Sequence, residues 1–95
     1  MQEPTPEVAD EAPSGPEITA YDRQHFVTYL RLLDAKADGA DWQEVARIVL
    51  DRDPDGDEWR SRRCWRSHLD RAEWFTREGY RLLLEQAAGN EIAGR

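Results

Sequence analysis

Apolar positions from residue 26 onward follow a helical period. Phe26, Leu30, Leu33 and Ala37 stand at i, i+4, i+7 and i+11, one face of a helix. Upstream, Thr19 is a good N-cap and Asp22, three residues on, completes a capping box. Asp38-Gly39 ends this helix, with glycine supplying the left-handed cap. Asp41 and Glu44 repeat the capping pattern before a short second helix whose inner positions are Trp42, Val45, Ala46 and Val49. A turn at Pro54-Asp55-Gly56 leads to Asp57, which caps a third helix from about Glu58. Cys64, Trp65, His68, Leu69, Ala72 and Phe75 share its inner face. Trp74 falls on the charged side of that helix, so either the helix breaks before it or a tryptophan is exposed. Gly79 precedes a last segment with Tyr80, Leu83 and Leu84 facing inward, and residues 89–95 are expected to fray. The pattern predicts an all-α domain of three to four helices over residues 19–88.

Residues 1–18 break the pattern. They hold four of the five prolines and five acids, with no lysine or arginine. Such a segment has little apolar surface to bury, so it is expected to be a disordered acidic tail. The chain carries a net charge of -7. Without the five acids of this tail, 15 acids face 13 bases, and the remainder is near -2. Long-range repulsion therefore disfavours nucleic acid without excluding it. One cysteine excludes an internal disulfide. With no long apolar run and no secretion signal, the expected compartment is the reduced cytoplasm, away from membranes.

Asp51, Asp53, Asp55 and Gly56 match positions 1, 3, 5 and 6 of a calcium loop, but Arg62 stands at position 12, where a bidentate glutamate belongs. A turn into a helix fits better. Cys64 and His68, four residues apart, could begin a zinc site or an activated thiol, but both need further partners, and core packing is favoured. The sequence suggests no catalytic residue, metal or cofactor. The four tryptophans are many for this length; Trp65, Trp42 and Trp59 are assigned to the core, and an exposed Trp74 would suit a protein-binding anchor. Arg60, Arg62, Arg63 and Arg66 lie within seven residues. They could read DNA, contact a protein partner or form a solvated face with Arg66–Asp70 and Glu73–Arg77 pairs.

The stretches Leu30 to Ala46 and Gly79 to Leu84, with the arginine-rich helix between them, resemble a small proteobacterial helix-turn-helix domain. That domain occurs in transcription factors for type VI secretion and in activators of rhizobial integrative and conjugative elements. The resemblance covers about residues 26–88. It includes stand-alone quorum-sensing antiactivators, which this short chain with its acidic leader resembles most. The implied role is to bind a LuxR-type activator and an activator carrying the related domain, and so to repress excision and conjugative transfer. Arg60, Arg62, Arg63, Arg66 and Trp74 are then the candidate partner contacts. The alternative is a sequence-specific DNA-binding regulator using the same four arginines. Eight residues, Asp51 to Glu58, separate the second and third helices, and five of them are acids. That is longer than the usual turn and disfavours direct base readout.

Overall fold

The computed structural model describes residues 7–93, with side chains through residue 88. These residues are helical or irregular, with no strand among them. The elements are α1 (Ala20–Gln24), α2 (Phe26–Ala37), α3 (Trp42–Ile48), α4 (Glu58–Trp74), a π-helical turn (Phe75–Gly79) and α5 (Tyr80–Ala93). α4 is the axis, with α2 and α3 packed against it.

Two of the three predicted N-caps form with side-chain bonds. Thr19 and Asp22 make a reciprocal capping box, and the Asp57 carboxylate accepts the Arg60 backbone N–H at 3.2 Å. Asp41 starts α3, but its side chain caps no helical N–H. Gly39 takes φ 73°, and Ala40 N–H and Gly39 N–H reach the Ala35 and Lys36 carbonyls, both at 3.0 Å. This paired arrangement is the Schellman motif, which the missing Cβ permits.

The first helix differs from expectation in two ways. It is interrupted at His25, whose φ of -117° leaves the helical range. Its buried stripe is His25, Thr28, Tyr29 and Leu32, whereas Phe26 and Leu33 are half-buried and Leu30 is 62% exposed. Polar neighbours explain the rotation. His25 and Tyr29 are drawn inward by hydrogen bonds that an apolar count ignores: the Tyr29 hydroxyl donates to Asp22 at 2.7 Å, and the His25 ring faces the Tyr21 carbonyl at 2.7 Å.

The core has two parts. Leu32, Val45, Leu50, Cys64 and Leu69 fill the space between α2, α3 and α4. Tyr29, Ala72 and Phe75 fill the other end, with Ile18, Phe26, Leu33, Trp74 and Leu83 around them. Trp65 stacks beside Trp42 with ring centroids 5.9 Å apart, so both join the packing. Trp59 does not. It is 78% exposed in the first turn of α4.

The helix does not break before Trp74. It widens into the π-helical turn, in which Phe75 and Gly79 are both buried. A Cβ on Gly79 would lie 2.4 Å from the Phe75 ring and 2.8 Å from the Trp74 ring, so only glycine fits. Trp74 is half-buried, edge-on to Phe75. Tyr80 and Leu84, expected inside, are exposed, because among the described residues α5 packs mainly against the π-helical turn. The backbone of α5 stays helical to Ala93, past the expected fraying point.

The leader also differs from expectation. Residues 1–6 lie outside the described residues. Residues 7–18 have no regular structure, yet they are laid along α4 and bonded to it. Composition correctly signals that this segment has no core of its own. What orders it is hydrogen bonding to arginine, serine and tyrosine side chains of the helical domain.

Candidate nucleic-acid and partner interface

The leader runs parallel to α4, one contact for each turn of the helix. Asp10 meets Arg60, Glu11 meets Arg63, the Ala12 N–H donates to Ser67, and the Gly15 carbonyl accepts from Arg71. The spacing is set by geometry. The five steps from Asp10 to Gly15 can span up to ~16 Å at about 3.3 Å each, less what the bends at Asp10, Glu11 and Gly15 take up. Eleven helical residues at 1.5 Å each span about the same length.

Arg71 is the anchor. Its Nε and Nη2 donate to the two oxygens of Asp22, at 3.0 and 2.7 Å. Nη1 and Nη2 also reach the carbonyls of Gly15 and Glu17, at 2.6 and 2.7 Å. The side chains of the pair are 2% and 0% exposed. Asp22 further accepts from the Thr19 backbone N–H and the Tyr29 hydroxyl. Desolvation pushes the Asp22 carboxyl up, but these bonds, led by Arg71, outweigh it and hold the group at about 2. The guanidinium lies flat on Trp74, 4.0 Å from the ring centroid. Sequence periodicity missed this residue, because an arginine on an inner position reads as a flaw in the apolar face.

A second set of bonds ties the leader near residue 9. The Ala9 N–H donates to the Tyr21 hydroxyl at 3.0 Å, and the Cys64 thiol donates to the Ala9 carbonyl at 3.4 Å. His68 Nδ1 lies 2.7 Å from the Cys64 carbonyl, so it carries the proton, and Nε2 accepts from the Tyr21 hydroxyl at 2.6 Å. Burial pushes the Cys64 thiol up and His68 down. Both groups are held neutral in a structural network, which is the opposite of an activated thiol.

The four candidate arginines separate into two sets. Arg60 and Arg63 face the leader: Arg60 Nε donates to Asp10 at 2.9 Å, and Arg63 Nη2 to Glu11 at 3.1 Å. Arg52, from the loop before α4, joins them. Its Nη1 donates to the same Asp10 oxygen at 2.7 Å, and its Nη2 donates to the Val8 carbonyl. The Arg60 bond, with Arg52 behind it, holds the Asp10 carboxyl below its usual range. Arg62 and Arg66 point elsewhere. Arg62 lies over Trp42, 5.5 Å from its ring centroid, and Arg66 pairs with Asp70 at 3.5 Å. Glu73 pairs with Lys36 across to α2, in place of the predicted Arg77. In the acidic loop, Asp53 accepts the Asp55 backbone N–H, and Asp55 pairs with Arg47 at 3.1 Å. These carboxylates shape the turn.

On the opposite side, α2, the π-helical turn and α5 border an open apolar groove of about 450 Å³, lined chiefly by Phe26, Leu30, Leu33, Phe75, Tyr80 and Leu83. Trp74, the expected anchor, lines the crease between leader and α4 with Glu11 and Pro13.

An all-helical domain with a short helix, a loop and an arginine-rich helix is the architecture of a helix-turn-helix-like transcription regulator. Residues 3–85 match the family described as the type VI secretion system (T6SS) transcription factor DNA-binding domain, and the chain belongs to that family. The matched span begins inside the leader. The family is a DNA-binding domain of transcription factors rather than an enzyme family. No curated protein matches the chain. Among the described residues, no helix is long and apolar enough to cross a membrane.

Proposed function

We propose that the chain is an antiactivator of transcription. It binds activators, a LuxR-type quorum-sensing regulator and an activator carrying the related domain, and so represses excision and conjugative transfer of an integrative element. It acts in the cytoplasm. The observation that carries this reading is the state of the arginine face: Asp10 and Glu11 of the same chain neutralise Arg52, Arg60 and Arg63. A net charge of -7 adds repulsion from DNA and speeds encounter with a basic DNA-binding protein. The open groove then supplies the surface for the activator, with Leu30 and Tyr80, 62% and 60% exposed, as its contacts. This groove replaces Trp74, whose ring is half covered by its own chain.

The test is titration calorimetry of the full chain against each activator. Leu30→Asp should abolish binding while leaving the fold intact, since Leu30 contributes little to the core. Retained binding in that variant removes the groove from the proposal.

The second reading is a DNA-binding regulator, favoured by the family match itself. It predicts sequence-selective binding of the unmodified chain to promoter DNA at physiological salt.

A further inference from the structure

We infer that Arg52, Arg60 and Arg63 form a binding site for the phosphate backbone of duplex DNA, and that Asp10 and Glu11 occupy it as an intramolecular competitor. One oxygen of Asp10 accepts from two guanidinium groups contributed by different elements, Arg52 at 2.7 Å and Arg60 at 2.9 Å. That convergence is what a phosphate oxygen meets in an arginine clamp. Glu11 takes Arg63, one turn along α4. The two carboxylates thus follow the helix as successive phosphates would. The leader does not depend on these exposed pairs for its position. Arg71, Ser67 and Tyr21 hold its backbone at Gly15, Glu17, Ala12 and Ala9. The acids are therefore presented at a high effective concentration, against which DNA must compete. Arg62 and Arg66 lie outside the site, since each has its own partner on another face.

This goes beyond the antiactivator reading. It shares the leader contact but needs no protein partner, so its test reads a different ligand.

The experiment is fluorescence anisotropy of labelled duplex DNA with the full chain over a range of salt. Asp10→Ala with Glu11→Ala should bind about ten-fold tighter or better, and its log K against log salt should steepen by about three as Arg52, Arg60 and Arg63 take up phosphates. Adding Arg52→Ala, Arg60→Ala and Arg63→Ala to that variant should abolish the gain in affinity and slope. A charge-matched control, Asp34→Asn with Glu44→Gln, removes two acids distant from the site and should give a much smaller gain. The inference fails if the leader variant binds no tighter, if the control gains as much, or if the arginine substitutions leave the gain in place. Circular dichroism of each variant establishes that it is folded.

Discussion

Replacing Arg71 by methionine keeps the volume of the side chain and removes its charge. The Asp22 carboxylate then stays buried with only the Thr19 and Tyr29 donors. The carbonyls of Gly15 and Glu17 also lose their partner. Breaking a buried pair by removing one member costs about 3–5 kcal/mol, because the remaining charge is uncompensated. A domain of this size is stable by roughly 5–10 kcal/mol, so about a third or more of the total is at stake. The matching drop in melting temperature is about 12 °C or more. Urea denaturation followed by circular dichroism measures this directly. Adding Asp22→Asn should recover part of the loss, since it removes the stranded charge. The pH dependence gives a second readout. Asp22 sits at about 2 in the fold against an ordinary 3.8, so the unfolded chain binds this proton more readily. The pair's contribution of ~2 kcal/mol is therefore complete above pH 3.8 and lost as pH falls toward 2. Without Arg71, the burial that pushes the carboxyl up is opposed only by Thr19 and Tyr29, so its proton affinity rises and the deficit of the variant should narrow in acid. A loss below about 1 kcal/mol in Arg71→Met, with an unchanged acid limb, would refute the buried pair.

Two further predictions concern the frame of the site. Gly79→Ala forces a methyl into the Phe75 and Trp74 rings and should destabilise by about 1–3 kcal/mol, measured as a lower urea midpoint; an unchanged midpoint means the π-helical turn relaxes without cost. Burial lowers the proton affinity of His68, so the unfolded chain takes up this proton first, and stability should fall as pH drops through 6.5. His68→Gln should flatten that limb of the stability curve, and a limb that persists would place the titrating group elsewhere.

Much of the frame was legible because capping and turn chemistry are local. Thr19, Asp22, Gly39 and Asp57 do what their types and spacing imply. The inner face of α4 was readable for the same reason, since a long helix sets its own period. The register of α2 was not, because its buried stripe is partly polar. His25 and Tyr29 are inside through hydrogen bonds to Glu7, Tyr21 and Asp22, which periodicity does not register, and Thr28 is buried beside them. Arg71 was hidden by the same rule. The leader was misjudged for a related reason: composition reports what a segment can bury alone, and this one is ordered by hydrogen-bonding side chains, acceptor and donor, on the helix it crosses. The arginine cluster was visible, but its division was not. Which of Arg60, Arg62, Arg63 and Arg66 share a surface depends on where Trp42 and Asp10 lie in space. Arg52 became part of the cluster only once the loop before α4 was placed.

The chain belongs to a DNA-binding family, and the proposed action on activators through the apolar groove rests on a binding event that can be measured. The most direct measurement is calorimetric titration of the activator carrying the related domain with the full chain and with Leu30→Asp, at physiological salt. Saturable binding by the unmodified chain and none by Leu30→Asp are the expected results. No binding to either activator, together with selective binding of the unmodified chain to promoter DNA, would contradict the proposal and make the chain a DNA-binding regulator.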